Sequence, residues 1–345
     1  KPADMKEADY DRAIAARAFD VTRYLLPLAV RTNVGQVVSI RTLEKQITRL
    51  LSSQLPELQM IGDDLKDACQ KPPMNIWGEL CGQAAPVDPL ARTLARHARA
   101  NEYQASVYVD LAKHAKDVLK GTGLDEPGAW GTVEPVELID AHHPLDELAA
   151  TLLYRASQAP YRKILAVVKD WSEKQKQETI EVGFRKRGPY DELIREFRSG
   201  YAFVFDILMD IGGWRDMHRH RRCQQVQQNF TTVHGYDVPP VLGEAGLDED
   251  YRAAMTAVKD DIERLRKASQ EAALYALPFG FKVRCLFKMD YAEVEYLSKL
   301  RSGVKGHWSY RMIAWQMKQQ LARKYPYLGG EIAATPPDIE DSLVR

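Results

Sequence analysis

The sequence lacks several features that would place it in a specialised class of protein. Its 345 residues include only four cysteines, Cys69, Cys81, Cys223 and Cys285, which are widely spaced and form no C-x-x-C pair. This usage argues against a disulfide framework or a zinc site. It is typical of inert thiols in a reducing compartment, such as the cytoplasm or an organellar matrix. No apolar run approaches the roughly 20 residues of a membrane helix, and no targeting segment is visible near Lys1.

An excess of either charge is also absent. Lysine plus arginine and aspartate plus glutamate both number 48, so the formal net charge is zero. Any basic site must therefore be local, which disfavours nucleic acid as a partner. The H-E-x-x-H, P-loop and G-x-G-x-x-G motifs are missing too, and we predict no metal site.

Helical patterning covers most of the chain, with a few strands between the helices. Apolar residues at helical spacing predict helices after Pro144 and over residues 251–265 and 310–321. Residues 201–210 ("YAFVFDILMD") are apolar at both parities and predict a strand buried on both faces. Residues 282–289 ("KVRCLFKM") predict a second strand.

An internal repeat organises the chain. Residues 23–51 can be laid over residues 274–302 without a gap, which places Pro27 on Pro278. In both stretches a Leu-Pro motif is followed by a strand-like segment and then an amphipathic helix. Patterning rather than identity carries the match, and it predicts a tandem of two related copies.

The domain organisation follows from this repeat and from residues 121–135, a Gly- and Pro-rich stretch that is the preferred boundary. Residues 1–125 are expected to hold the back half of a first copy with linking helices. Residues 134–330 are expected to hold a complete second copy, and residues 331–345 an irregular tail. The front half of the first copy would lie upstream of Lys1, so we expect the chain to be a fragment.

A basic cluster follows the first predicted strand. Residues 212–223 ("GGWRDMHRHRRC") begin with a glycine pair suited to a sharp turn and continue with helical character. A spacing of four would bring Arg215 and Arg219 onto one helix face. Three interpretations stay open: a structural helix with acidic partners, a nucleotide phosphate site, or a nucleic-acid patch. Candidate acidic partners are Asp206, Asp210 and Asp216.

Residues 203–222 ("FVFDILMDIGGWRDMHRHRR") resemble the strand, turn and helix that carry the Arg-His-Arg signature of flavin-dependent thymidylate synthases. The signature falls on Arg219-His220-Arg221. Further family motifs match Leu277-Pro278, Leu300-Arg301 and Arg311, and "VELIDAHHPLDELAATLLYRA" is similar to the family's opening strand and helix. The resemblance covers about residues 134–328 as one full copy and residues 12–52 as a partial copy.

The resemblance implies an α/β (α+β) fold, in which helix-rich repeats place an antiparallel sheet between helices. It also implies a flavoprotein that binds FAD and dUMP between the subunits of a homo-oligomer, or within a larger assembly. Such enzymes transfer a methylene group from methylenetetrahydrofolate to dUMP and a hydride from FAD, which NADPH reduces. The implied cofactor-binding residues are Arg219, His220 and Arg221, and the implied substrate-binding residues are Arg311, Arg23 and Arg41.

Five positions after the signature differ from the family pattern. The family has Ser, Asn, Glu, Ser and Arg where this sequence has Gln224, Val226, Gln227, Asn229 and Thr231. Several charge-assisted contacts to a nucleotide are thereby lost, each worth about 1.5–3 kcal/mol. Two functions stay open: a flavin-dependent thymidylate synthase, or a non-catalytic structural or interaction protein derived from that family. No catalytic residue is assigned in either case.

The two copies differ in the arginines that they keep. In the second copy Leu274 replaces the family's Arg before Leu-Pro, and Asp290-Tyr291-Ala292 replaces its Asn-x-Arg. The partial copy keeps both arginines, as Arg23 and Arg41. We therefore hypothesise that Arg23 and Arg41 of the first copy face Arg219 and Arg221 of the second.

Overall fold

The computed structural model contains two compact units. The described residues are 1–73, 78–82, 87–89, 91–124, 134–139, 144–183, 185–186, 194–197, 203–289, 291–324, 326–330 and 332–339. The larger unit comprises Lys1–Val30, His114–Ile180 and Leu193–Arg345, and the smaller comprises Arg31–Lys113 and Glu181–Glu192. The division into two copies stays a prediction, and most of its boundary, residues 125–133, lies outside the described residues.

Helices make up most of the described chain. In chain order the α-helices are α1 (Glu7–Thr22), α2 (Ile40–Leu51), α3 (Pro56–Gln70), α4 (Gly78–Cys81), α5 (Arg92–His97), α6 (Glu102–Val118), α7 (Pro144–Ala156), α8 (Tyr161–Lys169), α9 (Glu173–Val182), α10 (Ile211–Met217), α11 (Pro240–Glu244), α12 (Asp248–Ala268), α13 (Gln270–Tyr275), α14 (Tyr291–Ser302), α15 (Trp308–Lys324) and α16 (Pro326–Gly330). Short 3-10 helices span Arg23–Leu25 and Arg195–Phe197. Helices α7, α12 and α15 confirm the three helices that the apolar spacing predicts.

Four strands among the described residues of the larger unit form one antiparallel sheet. They are β1 (Val136–Ile139), β2 (Phe203–Asp210), β3 (Gln224–Gln227) and β4 (Lys282–Met289), in the order β1-β2-β4-β3. Strands β2 and β4 confirm the two predicted strands, although residues 201–202 lie outside the described residues. In the register of the sheet, Leu286 of β4 lies opposite Asp206 of β2 on one side and opposite Val226 of β3 on the other. The predicted α/β (α+β) class, an antiparallel sheet flanked by helices, is confirmed.

Both faces of the sheet are covered, as predicted by the apolar residues at both odd and even positions of β2. On one face Phe205 and Phe287 pack in a cluster with apolar side chains of α14 and α15. On the other face Val204 and Leu286 pack with apolar side chains of α7 and α8. A third cluster joins Tyr24 to α12 and to the segment that precedes β4.

The face covered by α7 also buries charged side chains. Arg284 Nη1 donates to Asp206 Oδ2 at 2.9 Å, and the Tyr154 hydroxyl donates to Asp206 Oδ1 at 3.0 Å. Lys288 Nζ donates to Glu147 Oε1 at 2.7 Å. Charged residues are tolerated inside a strand when opposite charges and hydrogen bonds replace their lost hydration. These pairs explain how β2 and β4 remain central strands despite their charged positions.

The smaller unit is helical, and α2 packs against α3 and α5. Ile47 and Val107 are buried in it, and the Tyr103 hydroxyl donates to the carbonyl of Gly183 at 2.9 Å. Residues 31–38, predicted to be strand-like, are exposed and form neither helix nor strand. That prediction is wrong for this structure because no described residue pairs with their backbone, and an isolated strand is not stable.

Candidate anion-binding site

The site begins where β2 passes into α10. Asp210 caps α10: its Oδ1 accepts from Gly213 N at 2.6 Å, and the Ser309 hydroxyl of α15 donates to its Oδ2. The glycine pair was expected to allow a sharp turn, yet both glycines are helical and neither has positive φ. They are needed for close approach instead, since a Cβ on Gly213 would lie 2.6 Å from Ser309 Oγ.

Asp210 is buried with a shifted protonation equilibrium. Burial raises the pKa of Asp210 from 3.8 to about 6, whereas its bonds to Ser309 and Gly213 lower it. Burial and the negative charge of Asp210 also raise the pKa of Tyr24, whose ring stacks on His307 at a centroid distance of 5.5 Å. The start of α10 therefore contacts both α15 and the 3-10 helix Arg23–Leu25, which contains Tyr24.

Helix α10 ends at Met217, so the predicted continuation of the helix through the arginines is wrong. Arg219 to Cys223 form a turn that leads into β3, a strand that the sequence did not predict. Gln225 holds this turn: its Nε2 donates to the carbonyls of Met217 at 3.2 Å and His220 at 2.8 Å. A buried amide that bonds the backbone of the preceding turn competes with further helix formation. Arg215 and Arg219 consequently do not share a helix face.

His220 is the buried member of the Arg-His-Arg signature. Its Nδ1 lies 3.0 Å from Glu293 Oε1, and Arg301 Nε donates to its Nε2 at 2.9 Å. A guanidinium can only donate, so Nε2 must accept and the imidazole is neutral, with its proton on Nδ1. Burial and the Arg301 charge lower the pKa of His220, although Glu293 opposes them. His220 thus ties the turn to α14, which carries Glu293 and Arg301.

Arg219 and Arg221 flank His220 and are exposed. Arg219 Nε lies 3.6 Å from Asp216 Oδ1, and Arg221 makes no ion pair with any described residue. Arg23 reaches the same carboxylate, with Nη2 at 3.9 Å from Asp216 Oδ2. The structure therefore brings Arg23, Arg219 and Arg221 to one region of the larger unit.

Of the three candidate acidic partners, one pairs with the basic cluster. Asp216 lies between Arg23 and Arg219. Asp206 instead pairs with Arg284 inside the sheet, and Asp210 caps α10. Asp20, which the sequence did not single out, also pairs with Arg23, and its Oδ1 lies 3.4 Å from Arg23 Nη1. Two carboxylates among Arg23, Arg219 and Arg221 leave a local excess of one positive charge, which favours an anionic ligand.

The remaining predicted site residues have other surroundings. Arg41 is exposed on α2 of the smaller unit. Arg311 is buried, and its Nε donates to Ser302 O at 3.2 Å while its Nη2 donates to Ile339 O at 2.9 Å. These bonds join α14, α15 and the segment that follows α16. Binding of substrate by Arg41 and Arg311 stays a prediction.

Several residues that replace the family pattern after the signature contact neighbouring chain. Val226 is buried in the apolar cluster with α7 and α8. Asn229 Oδ1 accepts from Arg155 Nη1 at 2.9 Å, and the Thr231 hydroxyl donates to Gln158 Oε1 at 3.4 Å. Asp290, at the replaced Asn-x-Arg motif, lies outside the described residues. The sequence missed Gln225, Glu293 and Ser309, and only their proximity to the signature in space reveals them.

The described part of the chain has neither a membrane-spanning helix nor a cluster of metal-ligating side chains. None of its helices has both the length and the apolar character needed to cross a membrane. None of its His, Cys, Asp and Glu side chains forms a group of three or more that could hold a metal ion. Cys69, Cys223 and Cys285 are free thiols, and burial raises the pKa of Cys223 to about 12.

A sheet of four antiparallel strands, an Arg-His-Arg turn and flanking helices define an α+β protein with a basic site. The family model described as "Thymidylate synthase complementing protein" matches residues 137–327. Since this match covers more than half of the 345 residues, the chain belongs to that family.

Relatives of this chain share low sequence identity with it. UPF0159 proteins of Chlamydia pneumoniae and Chlamydia muridarum are 23% and 25% identical to it, and each match covers 94% of this chain and 59% of the relative. A UPF0159 protein of Thermoplasma acidophilum is 23% identical, covering 95% of this chain and 61% of the relative. The chain therefore spans about three fifths of the length of the curated relatives that it matches.

A solved structure is also similar. It is the flavin-dependent thymidylate synthase ThyX from Helicobacter pylori complexed with FAD and dUMP. The two chains are 16% identical with a TM-score of 0.32, and the match covers 57% of this chain and 99% of that chain.

Proposed function

We propose that this chain is a flavin-dependent thymidylate synthase homologue that binds the diphosphate of FAD at the Arg219–Arg221 turn. The observation that carries the proposal is the pair of exposed guanidiniums held on either side of a buried, fully bonded His220. The turn fixed by His220 and Gln225 presents both arginines from a backbone that is already ordered, so binding needs to order only their side chains. Two neighbouring guanidiniums suit a ligand with two adjacent phosphate groups.

Arg23 supplies the test of fit for such a ligand. Its Nε and Nη2 atoms are buried and have no hydrogen-bond acceptor among the described residues. Buried donors without acceptors are costly, and a phosphate oxygen would satisfy them. Arg23 already lies beside Asp216 and hence beside Arg219, so the residues present fit the diphosphate of FAD.

When bound, FAD would supply hydride transfer. The chain's own residues would bind and orient the cofactor: Arg219 and Arg221 would contact phosphate oxygens, and neutral His220 keeps the turn in place. In a flavoenzyme of this kind the protein contributes positioning and charge, while the cofactor carries the difficult step. The proposal includes a homo-oligomer or a larger assembly, because the family resemblance places such sites between subunits.

A binding experiment tests the proposal. FAD is titrated into the purified protein and followed by flavin fluorescence, and the visible absorption of the protein as purified is recorded. The double variant Arg219→Ala/Arg221→Ala should bind FAD roughly 100-fold more weakly, because it loses two charge-assisted contacts. Wild-type protein that takes up no FAD overturns the proposal.

A matched control removes two arginines elsewhere. Arg252 and Arg264 are exposed on α12, and each pairs with an aspartate of that helix, as Arg219 pairs with Asp216. The variant Arg252→Ala/Arg264→Ala therefore loses the same charge and should keep the wild-type affinity. Equal weakening in both double variants would mean that net charge, and not the turn, attracts FAD.

A second candidate function is favoured by the surroundings of Arg311 and Val226. The Arg311 guanidinium bonds backbone carbonyls, and Val226 lies in an apolar cluster, so neither is available to a nucleotide in this arrangement. A non-catalytic protein that binds FAD, or only a partner, would have this structure. The assay is dUMP-dependent NADPH oxidation in the presence of FAD and methylenetetrahydrofolate. Turnover supports the synthase, and FAD binding without turnover supports the non-catalytic descendant.

A further inference from the structure

The predicted repeat has counterparts in the helix boundaries. Under the gapless alignment that places Pro27 on Pro278, the first residue of α2 falls on the first residue of α14, and the last on the last. Each of the two helices is 12 residues long. Helix α3 falls on α15 with an offset of one residue at its start.

The two Leu-Pro motifs pair with each other. Pro27 and Pro278 form an antiparallel bridge, although each is the other's equivalent in the alignment. Backbone hydrogen bonds on the two sides of the bridge come in equivalent pairs. In the first pair, Leu28 N donates to Leu277 O at 2.9 Å and Phe279 N donates to Leu26 O at 2.9 Å. In the second pair, Ala29 N donates to Tyr275 O at 3.0 Å and Gly280 N donates to Tyr24 O at 2.9 Å.

If each residue is replaced by its equivalent in the other copy, each of these hydrogen bonds becomes the other bond of its pair. Such a contact is isologous and has a local twofold axis, as in a symmetric dimer. The turn within each motif also matches, because Val30 N bonds Pro27 O at 3.1 Å and Phe281 N bonds Pro278 O at 3.1 Å. Any antiparallel bridge has hydrogen bonds paired in this way. The repeat is supported because this bridge is centred on two residues that the alignment makes equivalent, and because the turns that follow them also match.

The equivalence ends at the residues that follow the motif. Residues 282–289 form β4, which pairs with β2 on one edge and β3 on the other. Their equivalents, residues 31–38, make no hydrogen bond with any described residue and are exposed throughout. Val34 and Val37 are 84% and 102% exposed. Valine favours strands, and an unpaired apolar strand is a liability that proteins normally cover.

We propose that residues 31–38 are the central strand of a second sheet. The occupant of its two edges is a polypeptide segment with two antiparallel strands equivalent to β2 and β3. The alignment specifies this occupant, since those strands flank the equivalent of residues 31–38 in the copy that has them. The curated relatives are long enough to contain the segment, because this chain spans 59% to 61% of their length.

Amide hydrogen exchange with mass spectrometry tests the proposal. It is measured on this chain and on the full-length Chlamydia muridarum relative, with peptides that cover the equivalents of residues 31–38 and of β4. In this chain we expect protection of β4 but none of residues 31–38. In the relative both segments should be protected. If the relative exchanges the first segment as fast as its loops, the proposal is overturned.

A proline pair sharpens the test, because Val34 and Cys285 are equivalent positions. Val34→Pro should leave the unfolding midpoint of this chain unchanged, since no described residue accepts from the Val34 amide. Cys285→Pro should abolish folding, because proline breaks a central strand. In the relative, proline at the residue aligned with Val34 should release the protection of that segment, and retained protection there contradicts the proposal.

Light scattering excludes a different occupant. If this chain forms a dimer that Val34→Pro dissociates, a second copy covers residues 31–38 and the proposed segment is wrong. A molecular mass that Val34→Pro leaves unchanged agrees with the proposal.

Discussion

At the scale of single residues, one carboxylate joins the parts of the site. Asp210 accepts from the Gly213 amide and from the Ser309 hydroxyl, and its charge raises the pKa of Tyr24. The negative charge of Asp237 in turn raises the pKa of Asp210. Because these groups belong to α10, α15 and the segment before residue 27, protonation of Asp210 affects all of them together.

The raised pKa of Asp210 should make the stability of the protein depend on pH. Its pKa is raised from 3.8 to about 6, so the folded state holds the proton more tightly than the unfolded state does. This contribution is fully present below about pH 4 and is lost as the pH rises through about 6. A shift of about two units corresponds to about 3 kcal/mol.

The measurement compares wild type with Asp210→Asn by urea denaturation between about pH 4 and about pH 7. The wild-type free energy of unfolding, relative to that of the variant, should fall by about 2 kcal/mol over this range, because part of the contribution is already lost at about pH 4. A difference that does not change with pH contradicts the shifted pKa.

At the scale of elements, α10 depends on close packing at its first turn. Glycine at 213 lets the helix approach Ser309, and the Asp210 side chain caps the same turn. β2 likewise keeps Asp206 in its interior because Arg284 of β4, the Tyr154 hydroxyl and the Tyr161 amide all donate to its carboxylate. In both elements a position that local propensity disfavours is stabilised by a neighbour on another element.

Gly213→Ala should destabilise the protein by about 1–3 kcal/mol. The added Cβ would lie 2.6 Å from Ser309 Oγ and 2.9 Å from Asp210 Oδ2, and moving either atom breaks the bond between them. Gly243→Ala is the control, because its Cβ meets nothing within 4 Å and α11 has no close neighbour there. The control should be neutral or stabilising by up to about 1 kcal/mol. Urea denaturation measures both, and equal effects would contradict the packing argument.

At the scale of the whole molecule, the apolar core is distributed unevenly. All three buried apolar clusters of the described residues draw their members from the larger unit. The smaller unit buries fewer large side chains, including Ile47, Tyr103 and Leu111. Local stability follows buried contacts, so the two units should differ in their opening free energies.

We therefore expect the smaller unit to open first. Native-state hydrogen exchange at low urea concentrations should give lower opening free energies for the amides of α2 and α3 than for those of β2 and β4. The physical reason is the smaller apolar area that α2 and α3 bury. A single opening free energy shared by all four elements would show that the two units unfold as one.

Features that depend on residues close together in the chain could be predicted from the sequence alone. Apolar spacing located α7, α12 and α15, short apolar runs located β2 and β4, and the Arg-His-Arg signature identified the family. The arrangement of the site, in contrast, follows from the tertiary structure. In the structure α10 ends at Met217, and His220 forms hydrogen bonds with Glu293 and Arg301. The Arg311 guanidinium donates to the backbone carbonyl of Ile339. The tertiary structure also left residues 31–38 without a strand partner among the residues that the structure describes. Local patterns report the preference of a segment, whereas hydrogen-bond partners distant in sequence are chosen by packing, which no local pattern encodes.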